Sequence, residues 1–192
     1  PGGQLPLNIF EPRYLRMVDD ALGGARVIGM VQPRDGAENA RAPLYEIGCI
    51  GRISSFSESD DGRYLITLLG KKRFRIVEEL RVDTPYRQAK IDCAVFPADS
   101  GGDLTAEFVD RERLENAMRR FLDKEGLKTD WEVVAEAPTE ALVASLAMGC
   151  PFAPNEKQAL LEAENARERA DCLIALMEMS TAGETDGDPT VQ

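Results

Sequence analysis

The apolar positions of this chain change rhythm near residue 100. Up to Phe96 most runs alternate with a period of two, as strands do; further on they recur every three or four residues, as helices do. The opening, QLPLNIFEPRYLRMVDDAL, predicts a strand end running into a helix. Pro12 suits a first helical turn, where no N–H partner is lost, and Tyr14, Leu15, Val18 and Leu22 share one face. Gly23-Gly24 stops that helix. Residues 27–31 are short and β-prone, and the polar, Pro-containing stretch 33–43 reads as a loop.

Residues 45–96 carry the β pattern. YEIGCIGRISSF places Ile47, Cys49 and Ile53 on one face and Ile50 and Phe56 on the other. Gly48 and Gly51 inside this run suggest a bulge or a close backbone approach. Ser59-Asp60-Asp61-Gly62 predicts a hairpin turn, with YLITLLG returning as the partner strand. KKRFRIVEEL follows after Gly70, with Phe74 and Ile76 inward and Arg73, Arg75 and Val77 opposite, and residues 86–96 form another alternating run.

PADSGG breaks the pattern. Asp103 is the expected N-cap of a helix running to about Lys124, with Gly126 just past its end. Trp131, Val133 and Val134 read as a connecting piece. Further helices are expected over 140–148, from Pro154 onward, and behind an Asn165 cap. Strands first and helices second mean α+β, not a doubly wound sheet. The predicted units are a β-rich 1–99, a helical bundle over 103–180 and a flexible acidic tail, 181–192.

Composition sharpens this picture mainly through a zero. The 192 residues include no histidine, which removes His-based triads, His metal ligands and the usual general base near neutral pH. The four cysteines (Cys49, Cys93, Cys150, Cys172) form no CxxC pair, excluding a zinc ribbon or a thioredoxin-like motif. Each sits in an apolar stretch, as expected of reduced core thiols in a cytoplasmic protein. The net charge of -11 is lopsided: residues 1–100 balance 14 acids with 14 Lys or Arg, whereas 101–192 carry 20 acids against 9. The acidic half would repel phosphate backbones and anionic lipid. No stretch is long and apolar enough for a membrane span, and no signal-peptide pattern occurs. The chain starts at Pro1 without Met, so upstream residues are expected to be missing.

Candidate chemistry is sparse. Neither GxxxxGK[ST] nor GxGxxG occurs, and no lysine lies in a recognisable Ser-Lys motif. No cofactor and no metal site is predicted. Ser54, Ser55, Ser57 and Ser59 border a turn and read as turn chemistry on a polar sheet face. Asp60-Asp61 reads as a turn before it reads as a cation site, and Asp19-Asp20 at a helix end as solvated carboxylates. Lys71, Lys72, Arg73 and Arg75 form the basic cluster. It is read first as a charged solvent face on an edge strand and second as a nucleic-acid patch, which the overall charge disfavours. Met177 and Met179 are assigned to bundle packing ahead of a methionine-lined surface.

Several segments in order, PLNIFEPRYLRMVDDAL, VIGMVQP, YEIGCIGRI and LLGKKRFRIVE, resemble the N-terminal domain of Lon proteases. LVASLAMGCPFAPNEKQALLEAENARERADCLIALM continues the resemblance, which runs from about Leu5 to about Met179. It implies a PUA-like β pseudo-barrel followed by a C-terminal helical bundle, with the barrel's first strand preceding Pro1. It also implies binding of unfolded or damaged polypeptides. Nothing here resembles an ATPase module or a Ser-Lys protease domain, so the resemblance implies a stand-alone, non-catalytic substrate-binding protein. Its partners would be polypeptide segments, with a protease or chaperone alongside. PUA-like barrels also occur in RNA-binding proteins, which supplies the alternative function for the Lys71, Lys72, Arg73 and Arg75 strand. Pro6, Phe10, Glu11, Arg13 and Tyr14 match the opening motif, Gly48 and Ile53 the first long strand, and Gly70, Arg73 and Ile76 the next. Most of these are expected to hold the barrel together, with Glu11 a carboxylate partner for Arg73 or Arg13.

Overall fold

The computed structural model describes residues 1–34, 42–101 and 107–182. The chain divides into two units, Pro1–Gly102 and Asp103–Gln192. Strands lie in the first and most of the helices in the second, which makes the fold α+β.

The first unit contains β1 (Gln4–Ile9), α1 (Pro12–Leu22), β2 (Val27–Met30), β3 (Ile47–Glu58), β4 (Tyr64–Leu80), β5 (Gln88–Asp92) and the short α2 (Ala98–Gly101). All strand pairings are antiparallel, in the order β1-β4-β3-β2 with β5 also on β4. Among the described residues β1 and β2 do not pair, so the sheet stays open. The opening run is a full six-residue strand rather than a strand end. YLITLLG and KKRFRIVEEL are not two strands but one of 17 residues. Gly70 does not interrupt it because its N–H donates to the Gly3 carbonyl and its own carbonyl accepts from Gly2, both at 2.9 Å. The length of β4 lets β1 pair with its first half and β5 with its second, while β3 runs along most of it. The basic cluster therefore sits at the gap between β1 and β5, where residues 72–74 of β4 have β3 as their strand partner on one side and the Arg73 N–H turns to Asp99 on the other. Of residues 86–96 only Gln88–Asp92 is strand; Asp92 Oδ1 accepts the Ala94 N–H at 2.8 Å as the chain turns away.

The glycines in β3 act as their positions suggest. The register shifts between Ile50 and Gly51. At Gly48 a Cβ would lie 2.6 Å from the Met30 carbonyl oxygen and 2.7 Å from Phe74 Cζ, so no side chain fits. Gly62 closes the β3–β4 hairpin at φ 78°, its N–H donating to the Ser59 carbonyl. The apolar face of α1 packs on the sheet: Tyr14, Leu15, Val18 and Leu22 join Ile9, Ile28, Ile53, Ile66 and Leu68 in one core.

The second unit contains α3 (Arg111–Glu125), α4 (Trp131–Glu136), α5 (Thr139–Gly149), α6 (Pro154–Glu162) and α7 (Ala166–Ala182). The expected cap Asp103 and its neighbour Leu104 lie outside the described residues, as does the acidic tail beyond Ala182. The cap of α3 is Asp110, whose carboxylate accepts the Arg113 N–H at 3.0 Å; Gly126 ends the helix at φ 65°. The piece holding Trp131 is itself a helix, capped by Asp130. Asn165 caps α7 through the Glu168 N–H at 2.9 Å. Leu114, Leu173, Ile174 and Met177 are fully enclosed in this core, whereas Met179 is 72% exposed.

Candidate functional site

The sequence-matched residues of the first unit fall into separate places. Arg73, expected in a solvent-facing basic cluster, is 1% exposed. Its Nη2 donates to Asp99 Oδ1 at 2.8 Å, its Nε reaches the same carboxylate at 3.0–3.2 Å, and its backbone N–H donates to Asp99 Oδ2 at 2.7 Å. The guanidinium lies 4.1 Å from the centre of the Phe96 ring. Burial pushes the Asp99 carboxyl up, but the hydrogen bonds and charge of Arg73 together outweigh it and hold the group below its usual range. Glu11 is the partner of Arg13 instead, at 2.8 Å, with that guanidinium 4.5 Å from the Tyr14 ring centre. Phe10 is exposed, with Arg63 over its ring.

Removing Arg73 from the surface dissolves the basic cluster. Lys71 and Arg75 remain exposed, while Lys72 donates to Ser100 Oγ at 2.5 Å. That Lys–Ser contact lies at the surface, outside the groove described next, and lacks the enclosed setting a serine nucleophile needs. Asp61 belongs to the hairpin turn: the Ser59 hydroxyl, donating at 2.6 Å, is the main reason its carboxyl is held low, and Arg63 adds to it. Among the described residues no group of three or more His, Cys, Asp or Glu is placed to hold a metal, and no helix is long and apolar enough to cross a membrane.

The concavity with binding character is a groove of about 850 Å³ in the first unit. Tyr14, Met17, Asp20 and Ala21 of α1 line it together with Val27 and Ile28 of β2. Leu80, Val82, Tyr86 and Ile91 contribute from the β4–β5 hairpin, and Phe74 and Ile76 from β4. Val27, Leu80, Val82 and Ile91 all keep substantial exposure. β2 stands at the end of the strand order beside this groove. Its sequence, VIGM, carries neither charge nor proline.

The charged side chains at the groove are already engaged. Arg13 pairs with Glu11. Arg87 pairs with Glu79 at 2.5 Å and donates to the Ala42 carbonyl at 2.8 Å. The Tyr86 hydroxyl donates to Asp20 at 2.8 Å; this bond is the chief reason the Asp20 carboxyl is lowered, and it raises the Tyr86 phenol. Asp19 accepts from Tyr64 at 3.0 Å. The two aspartates are thus tertiary hydrogen-bond acceptors rather than freely solvated carboxylates. Asp20 also pairs with Arg16, one helical turn back, at 3.2 Å; the tyrosine partners lie 45 and 66 residues away, and no local signal in the sequence identifies them.

The second unit offers a shallower hollow along α3, lined by Asp110, Glu112, Arg113, Asn116, Arg119 and Arg120. Arg113 and Arg120 reach Glu178 at 2.9 and 3.9 Å, and Arg119 stacks on Trp131 at 3.8 Å. It is the polar face of one helix.

The model for the ATP-dependent protease La (LON) substrate-binding domain matches residues 1–179. The chain is 28% identical to Lon protease 2 of Myxococcus xanthus over 191 residues, covering 92% of this chain and 22% of that protein. It is 27% identical to the Lon protease of Cytophaga hutchinsonii over 192 residues, again 22% of the relative. The chain therefore spans about a fifth of the length of these relatives. Among solved structures, a Lon N-terminal domain protein from Xanthomonas campestris matches at a TM-score of 0.64 and 22% identity, over 91% of this chain and 90% of that one. The N-terminal domain of a Mycobacterium avium complex Lon protease matches at 0.64 and 16%, over 93% and 91%. At these identities the two structures speak for the fold alone.

Proposed function

Because the chain belongs to the ATP-dependent protease La (LON) substrate-binding domain family, we propose that it is a non-catalytic module that captures extended segments of unfolded or damaged polypeptide. In this reading the first unit is a PUA-like pseudo-barrel left open beside β2, and the second is a helical bundle. The protein acts in the cytoplasm as an adaptor in protein quality control, presenting clients to a protease or chaperone.

The observation that carries this reading is an uncharged edge strand beside an apolar groove. A segment laid along β2 would add a strand to the sheet. Backbone hydrogen bonds then supply affinity for any sequence, and alternate side chains enter the groove and select apolar residues. Among the described residues no further strand covers β2, and an uncharged, proline-free edge is one that soluble proteins otherwise avoid. Such recognition suits clients that share exposed apolar stretches and little else.

The test is fluorescence anisotropy with a labelled peptide alternating Val and Thr. Wild-type protein is expected to bind it, and Val27→Lys to weaken binding by roughly tenfold or more, since it sets a charge at the mouth of an apolar groove. A wild type that fails to bind at about 100 µM overturns the reading. Binding of an oligonucleotide that weakens steeply with salt and vanishes in Arg75→Glu replaces it.

A further inference from the structure

Asp19 and Asp20 stand where a helix least favours them. They occupy the last turn of α1, which holds no basic residue, and the negative end of the helix dipole repels carboxylates. Each nevertheless accepts a tyrosine hydroxyl from outside the helix. Asp20 has a local partner as well, Arg16 at 3.2 Å, but a local rule broken at two adjacent positions, each reached by a distant tyrosine, marks these carboxylates as serving the tertiary structure.

The two contacts differ in what they tie down. Tyr64 starts β4 and is already paired with Ile9 of β1 and Glu58 of β3, so its hydroxyl adds to an existing ladder. Tyr86 belongs to the loop 81–87 between β4 and β5. Among the described residues, no backbone–backbone hydrogen bond joins that loop to the rest of the unit. Thr84 Oγ1 donates to the Tyr86 carbonyl at 2.9 Å within the loop, and side chains tie it outward: Arg87 reaches Glu79 and the Ala42 carbonyl, and Tyr86 reaches Asp20. Val82, Pro85 and Tyr86 line the groove from the loop, and Asp20 lines it from α1. The Tyr86–Asp20 bond thus links the loop to α1 across the groove.

We propose that residues 81–87 form a strap over the groove and that the Tyr86–Asp20 hydrogen bond is its latch. With the bond made, the strap stands against α1 and narrows the entry; with it broken, the strap swings out and admits a polypeptide segment. This rests on the polypeptide-binding reading and adds its regulation. A latch of one exposed hydrogen bond is weak by construction, so the closed state is favoured only modestly and a client can displace it.

The experiment compares wild type with Tyr86→Phe and Asp20→Ala, with Tyr64→Phe as the control that loses an equivalent bond away from the strap. Circular dichroism melts first verify that each variant is folded. Amide hydrogen exchange over 81–88 is expected to quicken about fivefold in both latch variants and not in Tyr64→Phe, and the association rate of the Val/Thr peptide to rise by a similar factor. In exchange over 81–88 the double variant Tyr86→Phe/Asp20→Ala should match Tyr86→Phe, since both remove the same loop-to-helix bond and the Arg16 pair that Asp20→Ala also loses lies within α1. Unchanged exchange in the latch variants overturns the proposal, as does faster exchange with an unchanged association rate. If wild type does not bind the peptide, the polypeptide reading falls by itself. The latch is then decided by a hydrophobic dye: greater dye fluorescence in both latch variants supports a strap over the groove, and equal fluorescence overturns it.

Discussion

Asp99 and Asp20 are the same residue in the same unit, each accepting hydrogen bonds from a partner far along the chain, yet they do opposite work. Asp99 is enclosed with Arg73, makes charge-assisted bonds to both the side chain and the backbone of that residue, and ties α2 to the interior of β4. Asp20 is at the surface, where it takes a neutral hydroxyl from a loop and, at 3.2 Å, an exposed guanidinium from Arg16 of its own helix. Loss of one partner of a buried pair strands a charge away from water, which is far more costly than leaving an exposed carboxylate to be solvated. Burial, not residue type, decides which contact fastens the fold and which can open.

The largest effect is expected at the fastened end. Asp99→Ala should lower the unfolding free energy by about 3–5 kcal/mol in urea denaturation followed by circular dichroism, because the Arg73 guanidinium is left buried without its carboxylate. A loss below about 1 kcal/mol would place Arg73 in contact with water and erase the contrast.

Acid should act through the same pair. The Asp99 carboxyl is lowered in the folded state, so its contribution is fully present above the unfolded value, about 3.9. It is lost as pH falls through the lower folded value. Stability measured across pH 2–5 should therefore drop less steeply in Arg73→Met/Asp99→Leu than in wild type. At neutral pH that double variant should stay within about 2 kcal/mol of wild type, since apolar groups of similar size can replace a buried ion pair.

The smallest effects belong to the open end. Tyr86→Phe should leave the melting temperature within about 2 °C of wild type, as scanning fluorimetry would show, while changing exchange only around the strap. A large global loss there would make Asp20 a structural anchor like Asp99.

Two of the sheet's edge strands, β1 and β2, repeat the lesson. β1 carries Pro6, which has no N–H to offer a further strand, so that edge resists pairing. β2 has no such guard, and the groove lies beside it. Both sequences are plain to read, but the roles are not: nothing local in VIGM says that it ends a sheet, because β3 and β4, which decide the order, lie further along the chain.

Local chemistry made much of the fold legible. Pro12 and Gly23 bound α1, Gly62 marks the hairpin, Gly126 ends α3 and Asn165 caps α7 because each acts through its own dihedrals or through a neighbour within a few residues. Alternation and helical spacing likewise separate the β-rich unit from the helical one. What failed to read was everything requiring a distant partner. Gly70 looked like a break until Gly2 and Gly3 supplied its hydrogen bonds. Arg73 looked like part of a solvent-facing cluster until Asp99, 26 residues on, drew it inside. The groove needed α1, β2 and the β4–β5 hairpin in one place before its exposed apolar residues could form a surface. The sequence by itself determined the elements, their ends and the absence of histidine chemistry, because those depend on short-range sterics and composition. Only the tertiary structure decided which charge is buried, which edge is free and where a polypeptide could lie, because burial and pairing are properties of neighbours in space.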